Sequence, residues 1–181
     1  MQILRSLRTF FTAGKWRPDI WTLLLVGAIV YVWFRPPAWV SDLDQPAPAL
    51  QARLLDGHVT SLEQLRGKVV LVNFWATSCP GCIKEMPGMI EIYKQYRDKG
   101  FEIIAVAMSY DPPNHVVNFA QTRQLPFPVA LDVKGDHARA FNDVRLTPTS
   151  FIIGTNGRII EQKIGELDFV RLRKLLDEQL S

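Results

Sequence analysis

Val69-Val70-Leu71-Val72-Asn73-Phe74-Trp75-Ala76-Thr77-Ser78-Cys79-Pro80-Gly81-Cys82 is the stretch that decides the fold of this 181-residue chain. The run from Val69 to Trp75 is apolar except for Asn73. An apolar run of this length reads as a strand buried on both faces, as in a parallel sheet. A helical pattern follows: Ile83, Met86, Ile90 and Tyr93 recur at steps of three and four, Pro87 is an expected kink, and Lys99-Gly100 an expected stop. The chain's only two cysteines therefore lie three apart at a strand-to-helix junction. One helical turn lets both sulfurs close a small ring. The unpaired N–H groups and positive potential of a helix N-terminus favour a thiolate on the first cysteine. A thiolate is the attacking species in disulfide exchange, and a second thiol resolves the mixed disulfide.

Outward from this stretch, the pattern predicts an α/β domain. Leu50–Leu55, the Asp56-Gly57 turn and His58–Thr60 read as a β-hairpin. Ser61-Leu62-Glu63-Gln64 has the form of a capping box before a short helical turn that stops at Gly67. Phe101–Met108 reads as a second buried strand, and Asp111-Pro112-Pro113-Asn114 as the lead into a helix ending near Gln124. A short strand at Phe127–Leu131 and a short helix at Gly135–Phe141 follow. Thr149–Ile153, the Asn156-Gly157 turn and Arg158–Ile164 form a second hairpin. Asp168 caps a final helix with Phe169, Leu172, Leu175, Leu176 and Leu180 inward. Strands alternating with helices in this order imply a central mixed sheet.

The N-terminal segment has a different character. Ile20–Phe34 is 15 residues without a charge, about 22 Å long as a helix. Arg5, Arg8, Lys15 and Arg17 precede it, and Trp16, Trp21, Tyr31, Trp33 and Trp39 cluster towards its ends. Basic flanks on the cytoplasmic side and interfacial aromatics fit a membrane anchor, with Arg17 and Arg35 snorkelling to extend the span. The expected organisation is a cytoplasmic basic segment at 1–19, a transmembrane anchor at 20–34, a Pro-rich linker at 35–49 and a soluble domain at 50–181. A cleavable signal peptide is the competing reading, but the nearest small-x-small site, Ala47-Pro48-Ala49, lies far beyond the apolar core. Either reading exports the domain to an oxidising compartment.

Charge excludes one class of partner. Five basic residues against Asp19 give segment 1–40 a charge of +4, and the other 16 basic and 17 acidic residues leave −1. The overall +3 therefore belongs to the membrane-flanking segment and implies no nucleic-acid-binding face.

Four segments carry a resemblance to a known family. They are Asn73-Phe74-Trp75-Ala76-Thr77-Ser78-Cys79-Pro80-Gly81-Cys82, Glu85-Met86-Pro87, Thr147-Pro148-Thr149-Ser150-Phe151-Ile152-Ile153 and Asn156-Gly157-Arg158-Ile159. Together they resemble the TlpA/ResA type of thioredoxin-fold protein, the membrane-anchored disulfide reductases of bacterial cell envelopes. The resemblance spans residues 46–181. It implies a thioredoxin-like α/β fold, a central mixed β-sheet flanked by helices, with an N-terminal hairpin, a central insertion around Ser109–Asp132 and one preceding transmembrane helix. It assigns Cys79 as exposed nucleophile, Cys82 as resolving thiol and Pro148 as a cis-proline facing them, a minority state for an X-Pro bond. Thr147 would pair its backbone with a bound substrate, and Trp75 joins Thr147 and Pro148 as a substrate-binding candidate. Thioredoxins proper place a buried Asp six residues before the first cysteine. Here that residue is Asn73, and an amide cannot act as a base. The TlpA/ResA type instead has a Glu three residues after the second cysteine, here Glu85, one helical turn from Cys82. Partial burial would raise its pKa and let it exchange a proton with Cys82.

The resemblance also implies partners. Protein disulfides would be the substrates, such as the haem-binding cysteines of apocytochromes c or copper-site cysteines of oxidase assembly factors. A DsbD-type transmembrane protein would be the electron donor, the N-terminal helix the membrane contact, and the soluble domain monomeric. No cofactor is needed, because the cysteine pair itself carries two electrons. Ser78 stands where the family commonly has Trp before the first cysteine, and Pro80-Gly81 reverses the Gly-Pro order of thioredoxin. A disulfide-donating oxidase and a non-enzymatic copper metallochaperone stay open as alternatives. The three histidines are His58, His115 and His137, and none has ligand spacing to the cysteines.

Overall fold

The computed structural model describes residues 20–34 and 45–181. The chain divides into two units, Met1–Ser41 and Asp42–Ser181. In the first, α1 spans Ile20–Phe34, and Ile20, Trp21, Leu23, Leu24, Leu25 and Val26 are exposed. Among the described residues no helix is long and apolar enough to cross a membrane. The expected basic segment at 1–19, Arg35, Trp39 and the first part of the linker lie outside the described residues.

The second unit runs β1 (Gln51–Arg53), β2 (Val59–Ser61), β3 (Val69–Trp75), α2 (Pro80–Tyr96), β4 (Phe101–Ala107), α3 (Pro113–Arg123), β5 (Val129–Leu131), α4 (Asp136–Ala140), β6 (Thr149–Ile153), β7 (Ile159–Ile164) and α5 (Phe169–Gln179). Five strands form one sheet in the order β5-β4-β3-β6-β7, with β1 and β2 paired separately. β3 is parallel to β4 and antiparallel to β6, so the strand that leads to the cysteines is central and the sheet is mixed. All seven residues of β3 are buried, as a continuous apolar run requires when both faces are covered.

Alternation along β3 separates two cores. Val69, Leu71 and Trp75 pack with Met86, Met89 and Ile92 of α2 and Leu172 and Leu176 of α5. Val70, Val72 and Phe74 face the opposite side with Phe141 and Phe151. There Phe74, Phe141 and Phe151 form a triangle with ring centroids 5.0–6.0 Å apart. Tilted and edge-on pairs of this kind add ~0.5–1.5 kcal/mol each beyond area burial.

Several local expectations are modified by packing. Ser61 and Gln64 make both reciprocal bonds of a capping box, at 3.2 and 3.1 Å, yet residues 62–67 form turns and no helix. The buried stripe of α2 is Cys82, Glu85, Met86, Met89, Ile92, Tyr93 and Tyr96, with Ile83 and Ile90 half-buried at its margin. Met86 and Tyr93 of the expected apolar face lie in this stripe, and apolar periodicity passes over Glu85 because it is a carboxylate. The helix is continuous through Pro87. The last residues of the expected linker, 45–49, pack on the domain. Ala47 N–H donates to Gly157 at 3.0 Å, Ile159 N–H donates to Gln45 at 2.9 Å, and Leu50 is buried. Residues 45–49 are therefore an edge of the domain, because the β6–β7 hairpin offers them unpaired backbone groups.

Candidate redox site

Cys79 and Cys82 are joined as a disulfide, with Cα atoms 5.3 Å apart. Cys79 is the N-cap of α2, with extended φ −96° and ψ 108°, and its Sγ accepts from Cys82 N–H at 3.2 Å. Pro80 opens the helix, where its missing N–H costs nothing and its fixed φ is already helical. The two sulfurs have different environments. Cys79 is half-buried at the surface, and Cys82 is fully buried under it. After reduction, Sγ of Cys79 occupies the position where the helix N–H groups and dipole stabilise negative charge. The asymmetry lets one sulfur meet an incoming disulfide while the other waits beneath.

The Thr147–Pro148 peptide bond is cis. Pro148 is buried, Thr147 half-buried. A Cβ built on Gly81 would sit 3.5 Å from Pro148 Cδ, so this loop lies directly against the residue between the cysteines. Glycine at 81 leaves that gap open.

Glu85 is 3% exposed. Its Oε1 accepts from Asn73 Nδ2 at 3.0 Å and its Oε2 from Leu167 N–H at 3.0 Å. Burial pushes its pKa above the ordinary glutamate value, the Leu167 and Asn73 donors pull it back, and the charge of Glu166 pushes it up. A buried carboxylate held in this balance can exchange a proton with a neighbouring thiol. Glu166 is itself paired with Lys84 at 2.8 Å.

Trp75 is not placed to touch a substrate. It is fully buried and its ring packs at a tilt against Phe119 of α3, 5.3 Å between centroids. Strand alternation turns it into the core beneath the cysteines, so it is wall and not surface.

Sequence reading missed Tyr110 and Asp111. Asp111 is 4% exposed, and its carboxylate accepts from both Thr77 N–H and Thr77 Oγ1, each at 2.6 Å. It holds the loop that delivers Cys79. Tyr110, 56% exposed, has its hydroxyl 3.2 Å from Thr147 Oγ1. The sequence showed Asp111 only as the start of a Pro-Pro helix lead. The available signal was register: Trp75 pairs with Ala107, and Met108 N–H donates to Trp75 at 3.0 Å, so the chain after β4 must run beside the chain after β3. Among the described residues no group of three His, Cys, Asp or Glu side chains is arranged to hold a metal ion.

Comparison with known proteins agrees with this geometry. The Redoxin family pattern matches residues 43–176. The chain is 40% identical over 147 residues to the thiol-disulfide oxidoreductase ResA of Bacillus thuringiensis (strain Al Hakam), covering 80% of this chain and 84% of the relative. It is 33% identical over 168 residues to the thioredoxin-like protein YneN of Bacillus subtilis (strain 168), covering 90% and 97%. The crystal structure of a thioredoxin-family thiol:disulfide interchange protein from Chlorobium tepidum TLS superposes with a TM-score of 0.70 at 29% identity, covering 76% of this chain and 97% of that one. With a helix-capping cysteine pair on a thioredoxin-like sheet, the chain belongs to the Redoxin family and is a ResA-like thiol-disulfide oxidoreductase.

Proposed function

We propose that this oxidoreductase works as a reductant of protein disulfides, anchored in the bacterial inner membrane by Ile20–Phe34 with its domain in the periplasm. The observation that carries the reading is the pairing of a buried resolving cysteine with a buried carboxylate on one helix face, Cys82 and Glu85, below a half-exposed Cys79. The uncharged apolar α1 and its basic flank support the anchor.

In the reduced protein, the Cys79 thiolate attacks one sulfur of a substrate disulfide. A mixed disulfide forms, and the substrate's other sulfur leaves as a thiolate that takes a proton from solvent. Cys82 then passes its thiol proton to Glu85 and attacks Cys79 Sγ. The substrate's second sulfur leaves as a thiol once protonated, and the Cys79–Cys82 disulfide closes. Two electrons move from the cysteine pair to the substrate, with no cofactor. Thr147 offers its backbone to an extended polypeptide, while Pro148 lies against Gly81 between the cysteines. A DsbD-type transmembrane donor would restore the dithiol. Cysteines of apocytochromes c or of copper-site assembly factors are the substrate class the resemblance supplies. The soluble domain acts as a monomer.

The test is the redox state of Cys79 and Cys82 in living cells, read by acid quench and alkylation gel shift. A mostly reduced pair in an oxidising compartment supports a reductase with a dedicated donor. A mostly oxidised pair overturns the reductive direction. A Cys82→Ala variant should accumulate the substrate as a mixed disulfide on Cys79.

A further inference from the structure

The two donors that hold Glu85 both lead back to one segment of backbone. On one side, Asn73 Nδ2 reaches Glu85 Oε1 at 3.0 Å and Ser150 Oγ at 2.9 Å, so both amide hydrogens are engaged. Asn73 and Ser150 are direct cross-strand partners of β3 and β6, and Ser150 lies two residues after Pro148. On the other side, Leu167 N–H reaches Glu85 Oε2. Its loop is fastened by Gly165 N–H donating to Pro148 O at 2.8 Å, beside the Thr149–Ile164 pair of β6 and β7.

Asn73 and Ser150 are both fully buried, and Asn73 Oδ1 accepts no hydrogen bond from the protein. The orientation of the amide therefore rests on its NH2 contacts alone. Without the Ser150 oxygen, only Glu85 itself would fix it, and a buried N–H would be left without an acceptor.

We propose that Ser150 is a positioning residue for Glu85: through the Asn73 amide it fixes the carboxylate beside Cys82 and ties it to the segment that carries Pro148. The proposal rests on the reading of Glu85 as proton partner of Cys82. Its consequence is that the site for substrate backbone and the site for proton transfer share one hydrogen-bonded frame. Substrate pairing at Thr147 then acts next to the Pro148–Ser150 segment, to which both donors of Glu85 are tied. The other charged groups around the carboxylate are Glu166, from the β7–α5 loop, and Lys84, from α2, which are paired with each other.

The experiment uses the full chain in detergent, with a disulfide-linked peptide preformed on Cys79. Release of the peptide thiol reports the Cys82 step alone, and its rate is followed against pH. Selective 13C labelling of the glutamate carboxyls gives the Glu85 midpoint directly. Ser150→Ala withdraws the support of a charge-assisted donor, so the midpoint should rise, by about half a pH unit, and Asn73→Ala should raise it by about one. In a Glu85→Gln background, Ser150→Ala should produce no further change in the profile. An unmoved midpoint in Ser150→Ala overturns the proposal. So does an equal effect of Ser150→Ala with and without Glu85, since the serine would then act by another route. If Glu85→Gln alone leaves the profile unchanged, the reading of Glu85 falls and this proposal falls with it, an outcome distinct from the other two.

Discussion

Replacing Asp111 by alanine should destabilise the oxidised protein more than any other single change in the loops around the cysteines. The carboxylate is 4% exposed and accepts two hydrogen bonds of 2.6 Å, from Thr77 N–H and Thr77 Oγ1. Bonds to a charged acceptor contribute about 1.5–3 kcal/mol each. Thr77 is half-buried, so water recovers part of the loss. The expected cost of Asp111→Ala is then about 2–4 kcal/mol. Thr77→Val removes only the hydroxyl bond and should cost about half as much. The double variant should be little worse than Asp111→Ala alone, because the alanine already removes both bonds. Asp111→Asn keeps an acceptor for the backbone N–H and loses only the charge, for about 1 kcal/mol. Urea unfolding at pH 7, followed by tryptophan fluorescence, reads these values as midpoint shifts at constant slope, about 1–2 M for Asp111→Ala at a slope of ~2 kcal/mol/M. A cost below about 0.5 kcal/mol, within the range of ordinary surface substitutions, would refute the reasoning. Equal costs for Asp111→Ala and Thr77→Val would refute the part assigned to the backbone bond.

Two further outcomes follow from packing and charge. Gly88→Ala would put a Cβ 2.5–2.9 Å from the ring of Phe169, well inside the usual contact of about 3.5–4.0 Å. The overpacking cost of ~1–3 kcal/mol should exceed the helix-propensity gain of ~1 kcal/mol, so the midpoint in urea should fall, and Phe169→Leu in the same chain should restore it; a stabilised Gly88→Ala variant contradicts the packing. Glu85→Gln should change how stability depends on pH. Burial raises the folded pKa of Glu85, so above the ordinary value of about 4.3 the folded state holds a proton that the unfolded state has lost. Wild-type stability therefore falls as pH rises through the window from that value to the raised one, then levels off. The variant lacks this slope, and its stability relative to wild type should improve with pH across the window; a flat or opposite difference in urea midpoints from pH 4 to 8 would show that burial does not dominate.

The sequence alone was enough for the chemistry and the order of elements. Seven buried residues ending at two cysteines one helical turn apart specify a central strand feeding a redox helix, because only a strand covered on both faces tolerates such a run. Hairpin turns at Asp56-Gly57 and Asn156-Gly157 and the Asp168 cap are local events set by neighbouring residues, and they fall where the chain places them. What the tertiary structure decided depends on contacts between segments distant in sequence. Trp75 was legible as an aromatic beside the site, but only the register of β3 shows that it faces Phe119 in the core. Glu85 was legible as a carboxylate one turn from Cys82. Its donors come from Asn73, on a strand before the helix, and from Leu167, 82 residues later. Asp111 was read as a helix lead because its partner, Thr77, is 34 residues away and is brought to it by parallel pairing of β3 with β4. Periodicity and capping report what a residue does to its own turn of chain. A buried carboxylate is stable only through donors that the whole sheet must bring together, and no local pattern encodes where those donors come from.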